Sequence, residues 1–373
     1  MIPKKRFKPK KLLFILLIPL GMLLTQMASN SPALIERYYS GGLYRYIGQG
    51  LSRLIGVLPF SLAEILIIIT IILILTILVR MIVKIFRRDR ERRYFVLNST
   101  ANLLIFASVM YFIFILIWGL NYHRQPFSTI AGFDIKPATM EELVETTDYI
   151  ISKANELRSK VSQNNEGVMK LESLREEVLK RADRGYTNIA DIYSELSGKY
   201  GRPKGVMLSE LMSYTEIWGV YFPFTGEANV NMKIPESSLP STVCHEMAHQ
   251  RGFAREDEAN FISYIVCNAH PDVDFQYSGT MSALSNLLNA VAGSNRDEYS
   301  RLYEKLSDGI KRDFAAINQF SEKYEGVVGD ISSNINDIYL KSNKQQDGVR
   351  SYGRMVDLLI AEHRARQLEK ESL

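Results

Sequence analysis

Apolar residues are distributed unevenly along the chain and divide it into two unlike parts. Three long apolar runs lie in the first third: Leu12 to Leu24, Leu62 to Val79 and Leu103 to Leu120. The second and third runs reach 18 residues, about the length needed to cross ~30 Å of hydrocarbon. The pattern predicts a membrane region over residues 1–120, with three N-terminal transmembrane helices at about 12–28, 62–82 and 102–120.

The first run is shorter than the other two, and it follows a basic tail, as the apolar core of a signal peptide does. The small residues after it, Met27-Ala28-Ser29, form only a weak cleavage site. We therefore expect the first run to be retained as a membrane span.

Charge is as uneven as hydropathy and predicts the orientation. Residues 1–120 hold 16 Lys/Arg and 4 Asp/Glu, whereas residues 121–373 hold 29 Lys/Arg and 37 Asp/Glu. Six basic residues precede the first run, seven lie between Arg80 and Arg93, and three lie between the first two runs. The positive-inside rule then predicts a multi-pass protein of the cell membrane. The N-terminus is predicted to be cytoplasmic and the C-terminal part extracytoplasmic. Trp118 and Tyr122 are expected to be interfacial anchors.

Composition narrows the possible partners. With 46% apolar and 10% aromatic residues, the chain is too apolar for a disordered protein. The acidic C-terminal part is poorly suited to neutralising phosphates, so we expect no nucleic-acid partner. The lipid bilayer is the partner that the apolar runs imply, and the oligomeric state stays open.

The C-terminal part is predicted to be a linker over 121–139 and one domain over 140–373. Helical periodicity runs from Met140 to Gly185, from Ser241 to Asn268 and through most of the chain after Ser282. Aromatic and β-branched residues favour strand between Ser209 and Val230, with a turn or close backbone approach at Gly226 and a turn role for Glu227. The fold class expected is a mostly helical α+β domain with a small sheet.

One segment carries a pattern typical of metal chemistry, His245-Glu246-Met247-Ala248-His249. On a helix the two histidines are four residues apart, so both imidazoles project from one face and can share a Zn²⁺ ion. Glu246 is offset by one residue and can act as general base on a zinc-bound water without ligating the metal. A buried helix with these three side chains requires partners for all of them.

A third protein ligand is needed, and the residues leave its identity open. Gly252 is expected to end the motif helix, so that a second helix beginning near Ala254 brings acidic residues back. Glu258 lies among apolar positions, where a carboxylate would need a cation. Glu256 shares a small-residue face with Asn260, which would support the histidines as a hydrogen-bonding group behind the ligands.

The segment resembles the zincin metallopeptidases, specifically the branch whose third ligand is a glutamate that opens a Glu-x-x-Ala-(Asp/Asn) helix. Glu256-Asp257-Glu258-Ala259-Asn260 matches that pattern, which implies Glu256 as the ligand and Glu258 as the second choice. The chain is also similar to an uncharacterised bacterial membrane family, and that similarity extends to Tyr221–Asn229 and Ser351–Arg354.

The sequence also suggests roles for residues around the motif. The run from Gly219 to Val230 precedes the motif as either a substrate-binding edge strand or a core strand. Candidate oxyanion donors are Tyr214, Tyr264 and Tyr352. Residues placed outside the site are His123 and His270, and we expect no disulfide between Cys244 and Cys267.

The favoured function is a membrane-anchored zinc metallopeptidase that hydrolyses peptide bonds in a peptide or protein substrate. The alternative is a non-catalytic zincin-like binding or sensor module, although such a module has no need of Glu246 as a base. A transporter or channel is disfavoured because the apolar runs contain almost no ionisable residue beyond Glu64.

Overall fold

The computed structural model describes residues 8–87, 91–342 and 354–371. The candidate donor Tyr352 and the stretch from Ser351 to Gly353 lie outside the described residues. So do Lys4, Lys5 and Arg6 of the basic tail, and Arg88 and Arg90 of the second basic segment.

Three helices have the length and composition to cross a membrane. A 3-10 turn, Pro9–Leu16, leads into α1 (Leu17–Ser29). The other two spans are α4 (Leu62–Phe86) and α5 (Arg92–Ile117). Their apolar side chains are mostly exposed on the protein surface, as lipid-facing side chains are. The prediction of three N-terminal apolar helices is confirmed, and the chain is a membrane protein.

The segment between the first two spans is helical and packs on the C-terminal part of the chain. It contains α2 (Pro32–Leu34), a π-helix (Ile35–Tyr44) and α3 (Arg45–Gly56). Backbone contacts show how closely it packs: a Cβ on Gly201 would lie 1.9 Å from the carbonyl oxygen of Ser52. Only glycine fits at that position.

The exit from the third span is buried. A 3-10 turn covers Gly119–His123, and α6 (Phe127–Ile130) follows. Trp118 and Tyr122 are each 4% exposed, and Phe127 lies fully within the core. The expectation that Trp118 and Tyr122 are interfacial anchors is therefore wrong, because both rings pack inside the protein. The first residues of the 121–139 interval likewise belong to the packed structure.

The rest of the chain is mostly helical around one core. Its helices are α7 (Met140–Arg158), α8 (Arg175–Arg181), α9 (Asp183–Ile189), α10 (Ser209–Ser213), α11 (Leu239–Gln250), α12 (Glu256–Ala269), α13 (Val273–Ser294), α14 (Arg296–Glu304), α15 (Asp308–Tyr324), α16 (Val327–Ser342) and α17 (Met355–Glu371). The capping box of Thr139 and Glu142 begins α7. The predicted mostly helical fold with a small sheet is confirmed.

The sheet has three short strands, β1 (Lys204–Gly205), β2 (Gly219–Phe222) and β3 (Glu227–Val230), in the order β1-β3-β2. β2 and β3 form an antiparallel hairpin, and β1 is parallel to β3. The prediction of continuous strand character from Ser209 is wrong, because α10 occupies the start of that interval. The predicted turn at Gly226 is confirmed by a φ of 67°.

Glu227 is a buried strand residue, so the expectation of a turn role is wrong. Its two carboxylate oxygens accept the backbone N–H groups of Leu62 (3.0 Å) and Ala63 (2.7 Å). The first N–H groups of a helix have no intrahelical partner and favour a negative charge. Glu227 therefore caps the second span from the C-terminal part of the chain.

A second carboxylate, on α4 itself, accepts hydrogen bonds from the C-terminal part of the chain. Glu64, in the first turn of α4, accepts the backbone N–H groups of Met207 (3.0 Å) and Leu208 (2.8 Å). Ser61 completes the junction by capping α4 and donating to Asn229 at 2.7 Å. The ionisable residue in the second apolar run thus serves to dock this span.

We expect Glu227→Ala to destabilise the protein by on the order of 2 kcal/mol, because two buried N–H groups lose their acceptor. The measurement is the thermal unfolding midpoint of the full chain in detergent. Glu304→Ala is the control, since the Glu304 side chain is 83% exposed. Equal midpoints for the two variants would contradict the capping role.

Candidate metal centre

The motif helix α11 has well-defined ends. Pro240 lies in its first turn, where a missing N–H is tolerated. At the other end Gly252 has a φ of 83°, and two hydrogen bonds close the turn: Gly252 N to His249 O (2.9 Å) and Phe253 N to Ala248 O (3.2 Å). This pattern is the Schellman motif. It confirms that the helix ends at Gly252, and it reverses the chain into α12.

The reversal brings Glu256 to the two motif histidines. Their ligating atoms all lie within 4.8 Å of one another. Nε2 of His245 is 3.0 Å from Nε2 of His249, and a Glu256 oxygen is 3.2 Å and 3.6 Å from these two nitrogens. Tetrahedral zinc with bonds of about 2.1 Å separates its ligands by roughly 3.4 Å. The three side chains therefore fit a zinc ion.

The alternative ligand, Glu258, has another partner. Its carboxylate accepts from Arg255 at 2.9 Å and from the backbone N–H of Phe127 at 3.0 Å. The cation that its apolar surroundings require is thus Arg255. The structure brings Glu256, and not Glu258, to the histidine pair.

The orientation of His249 is fixed from behind by a backbone group. Its Nδ1 is 2.7 Å from the carbonyl oxygen of Phe253, so this nitrogen carries the proton and Nε2 is left to face Glu256. Such an outer hydrogen bond is typical of metal-binding histidines. Asn260, predicted for this supporting role, lines the cavity beside the cluster instead.

The electrostatic field of the cluster favours positive charge. Burial alone lowers the pKa of His249, but the charges of Glu256 and Glu246 outweigh it and raise that pKa to about 9. Burial opposes the charge of Glu256 too, yet the two imidazoles hold its pKa well below the usual range. A cation among these groups compensates the buried carboxylates.

Glu246 lies beside the cluster under strand β2. It is 3% exposed, burial raises its pKa, and the backbone N–H of Tyr221 donates to it. Within the described residues, its Oε2 has no hydrogen-bond partner. A Cβ on Gly219 would lie 2.4 Å from Oε1, so glycine gives the carboxylate its space. One oxygen is therefore left for a substrate or a water.

Carbonyl groups at and just after the end of α11 accept hydrogen bonds from the segment between the first two spans and from the exit of the third. The indole N–H of Trp118 donates to His249 O at 3.2 Å, the hydroxyl of Tyr44 donates to Gln250 O at 2.9 Å, and Arg124 donates to Gly252 O at 3.1 Å. None of these three donors is predicted by the sequence pattern. Their partners lie more than 120 residues away in the chain, so no local pattern could have indicated them.

Arg124 is held in a nearly buried ion pair. Two of its nitrogens donate to the carboxylate of Glu36 at 2.8 Å and 2.6 Å. Its guanidinium also lies 3.8 Å from the ring centroid of Phe253, whose carbonyl orients His249. A chain of contacts thus runs from the segment between the first two spans to a candidate metal ligand.

A cavity of about 790 Å³ opens over the cluster. Its walls come from β2, the span exit and helices α13, α15 and α16. The run from Gly219 to Val230 contains both an edge strand, β2, which lines the cavity, and a central buried strand, β3. His123 and His270 are not among the residues that line it.

The phenols near the cluster differ from those expected. Neither Tyr214 nor Tyr264 lines the cavity: Tyr214 packs on Tyr324 with ring centroids 5.0 Å apart, and Tyr264 is fully buried in the core. The lining phenols include Tyr122 and Tyr339, whose hydroxyls are 3.0 Å apart. Tyr122 belongs to the span exit, which the sequence assigned to the membrane interface.

We expect Arg124→Gln to destabilise the protein by on the order of 3 kcal/mol, because it leaves the Glu36 carboxylate without its cation. The double variant Arg124→Gln/Glu36→Gln removes that unpaired charge and should recover part of the loss. Thermal unfolding of the full chain in detergent measures both. A double variant less stable than the single one would contradict the ion-pair account.

Comparison with known proteins identifies a family but no characterised relative. No curated protein and no solved structure matches the chain significantly. The model of a family described as "Protein of unknown function (DUF3810)" matches residues 39–360. That range contains the second and third spans, the His/Glu cluster and the cavity walls. The chain therefore belongs to this family of unknown function, in agreement with the expected similarity to an uncharacterised membrane family.

Proposed function

We propose that this protein is a membrane-anchored zinc-dependent metallopeptidase. The observation that carries the proposal is the convergence of His245, His249 and Glu256 at separations of 3.0, 3.2 and 3.6 Å, which suit tetrahedral zinc. The resemblance of the segment to the glutamate-ligand zincins supports the same assignment. Glu246, beside this cluster, supplies the general base.

The chemistry divides among few groups. His245, His249 and Glu256 would hold the zinc ion, which would supply a Lewis acid for the hydrolysis of an amide bond. Glu246 accepts the proton of the attacking water and delivers it to the leaving amine. Its burial raises its pKa, which makes the carboxylate a better proton acceptor. The phenols of Tyr122 and Tyr339 are the candidate donors to the oxyanion.

Strand β2 is suited to holding a peptide. It lies at the edge of the sheet and lines the cavity. An extended substrate can add to such an edge through backbone hydrogen bonds. Gly219 at the start of β2 lies against Glu246, so a chain bound along this strand passes close to the base.

The proposal places this site outside the cytoplasm. Each span has one end near the C-terminal part: α1 through the segment reaching Tyr44, α4 at Glu227 and α5 at Trp118. The basic segments therefore belong to the opposite ends of the spans. The positive-inside rule assigns those ends to the cytoplasm.

The first test is the zinc content of the full chain in detergent, measured by mass spectrometry. We expect about one zinc per chain in the parent and in Glu246→Gln. His249→Ala and Glu256→Ala should lose it, because each removes a ligand. Glu258→Gln and His363→Ala are matched controls that should keep it.

Peptide cleavage tests the reaction itself. Against a peptide library, Glu246→Gln should retain zinc but cleave about 10²- to 10⁴-fold more slowly than the parent. A parent that binds zinc and cleaves nothing would favour a binding or sensor module. A folded parent without zinc would overturn the metallopeptidase proposal.

Gly219→Ala tests the position of the base. The added Cβ displaces the Glu246 carboxylate, which lies 2.4 Å from that Cβ position. We expect zinc to be retained and kcat/KM for peptide cleavage to fall about 10²-fold, the usual cost of misplacing a catalytic group by about 1 Å. Gly293→Ala is the control, because its Cβ would meet no atom within 4 Å. Unchanged cleavage in Gly219→Ala would argue against Glu246 as the base.

A further inference from the structure

Helix α16 carries an exposed apolar stripe. Five of its side chains share one face at helical spacing, and each is more than half exposed: Val327, Val328, Ile331, Ile335 and Ile338. Ile335 also lines the cavity over the metal cluster. The stripe therefore borders the opening of the candidate site.

The stripe is the apolar exposed face of α16, whereas most of its inward face is small or polar. The face directed into the protein contains Gly329, Ser332 and Asn336, which are buried or half-buried, and the fully buried Leu340 at its end. A second exposed side, beside the stripe, contains Asp330 and Ser333. An apolar face directed outward is costly in water, and continuous exposed apolar surface marks a site of interaction.

The N-terminal end of α16 is fixed near the second span. Tyr324, the last residue of α15, lies just before α16 in the chain. Its hydroxyl donates to Glu210 of α10 at 2.6 Å. α10 begins directly after Met207 and Leu208, whose N–H groups bind Glu64 in the first turn of α4. Met207 and Leu208 are themselves exposed apolar residues at this end of the span.

The C-terminal end of α16 is fixed at the third span. The ring of Tyr339 lies 6.3 Å from the ring of Phe114, in the last turn of α5. Its hydroxyl bonds that of Tyr122, just after the span, at 3.0 Å. A helix of 16 residues is about 24 Å long. Both ends of α16 are thus held at the level where two spans leave the hydrocarbon.

We propose that α16 lies in the membrane interface, with its apolar stripe in contact with the lipid of the leaflet nearest the C-terminal domain. Amphipathic helices bind such interfaces by burying their apolar face among the acyl chains. The stripe then continues the lipid-facing surface of α4 and α5, and the cavity opens at the bilayer surface. This assignment does not depend on zinc or on peptide cleavage.

The test uses nitroxide labels on single added cysteines in the full chain, reconstituted in phosphatidylcholine liposomes. Labels at Ile331→Cys, Ile335→Cys and Ile338→Cys report on the stripe, and labels at Asp330→Cys and Ser333→Cys are controls on the polar exposed side. The native Cys244 and Cys267 are buried, and the labelled parent gives their background. Unchanged thermal midpoints show that each variant is folded.

We expect collisions with oxygen, relative to those with a water-soluble nickel complex, to be several-fold more frequent for the stripe labels than for the controls. Oxygen concentrates in lipid, whereas the nickel complex stays in water. Equal access of the nickel complex to both sets would overturn the proposal by showing that the stripe faces water. Low access of both reagents to the stripe would overturn it in favour of a protein partner or a second copy of the chain.

Discussion

The structure depends on hydrogen bonds that carbonyl groups at the end of the motif helix accept from distant parts of the chain. Every α-helix leaves its last carbonyls without intrahelical partners, and here they adjoin a candidate metal ligand. The carbonyl of Gln250 accepts from Tyr44, in the segment between the first two spans, and that of His249, already bonded to Gly252 N, also accepts from Trp118 at the exit of the third span. A fragment that begins at residue 121 lacks both donors. The candidate metal centre is therefore supported by residues from both the membrane region and the C-terminal part of the chain.

Acidic side chains also connect the membrane region to the C-terminal part of the chain, as hydrogen-bond acceptors. Glu36 binds Arg124, Glu64 accepts two N–H groups of the C-terminal part, and Glu227 accepts two N–H groups of α4. Each carboxylate is buried or nearly so and satisfies donors that would otherwise lack partners. Such contacts fix the second span and the inter-span segment relative to the motif helix.

The features that the sequence predicts correctly are those whose determinants are local. The apolar runs, the helical spacing of His245 and His249 and the break at Gly252 are each set by neighbouring residues. They were sufficient to predict that Glu256 or Glu258 returns to the histidines. The resemblance to a known branch favoured Glu256, the residue that the structure brings there.

The features that the sequence does not predict depend on long-range contacts. An aromatic residue at the end of a span has the same local pattern whether it faces lipid or the protein core. The sequence therefore predicts an interfacial position for Trp118, which is buried in the protein. Glu227 follows a turn glycine, and only its contact with α4 across the fold shows why a strand carries a buried carboxylate there.

The position of the hairpin also explains how the unpaired edge of β2 is tolerated. Residues of β2 line the cavity, and the backbone N–H of Tyr221 in this strand donates to Glu246, so this part of the strand is engaged inside the protein and not in the contacts through which exposed edges aggregate. The same edge passes Glu246 at Gly219, which joins a protected backbone surface to the proposed base.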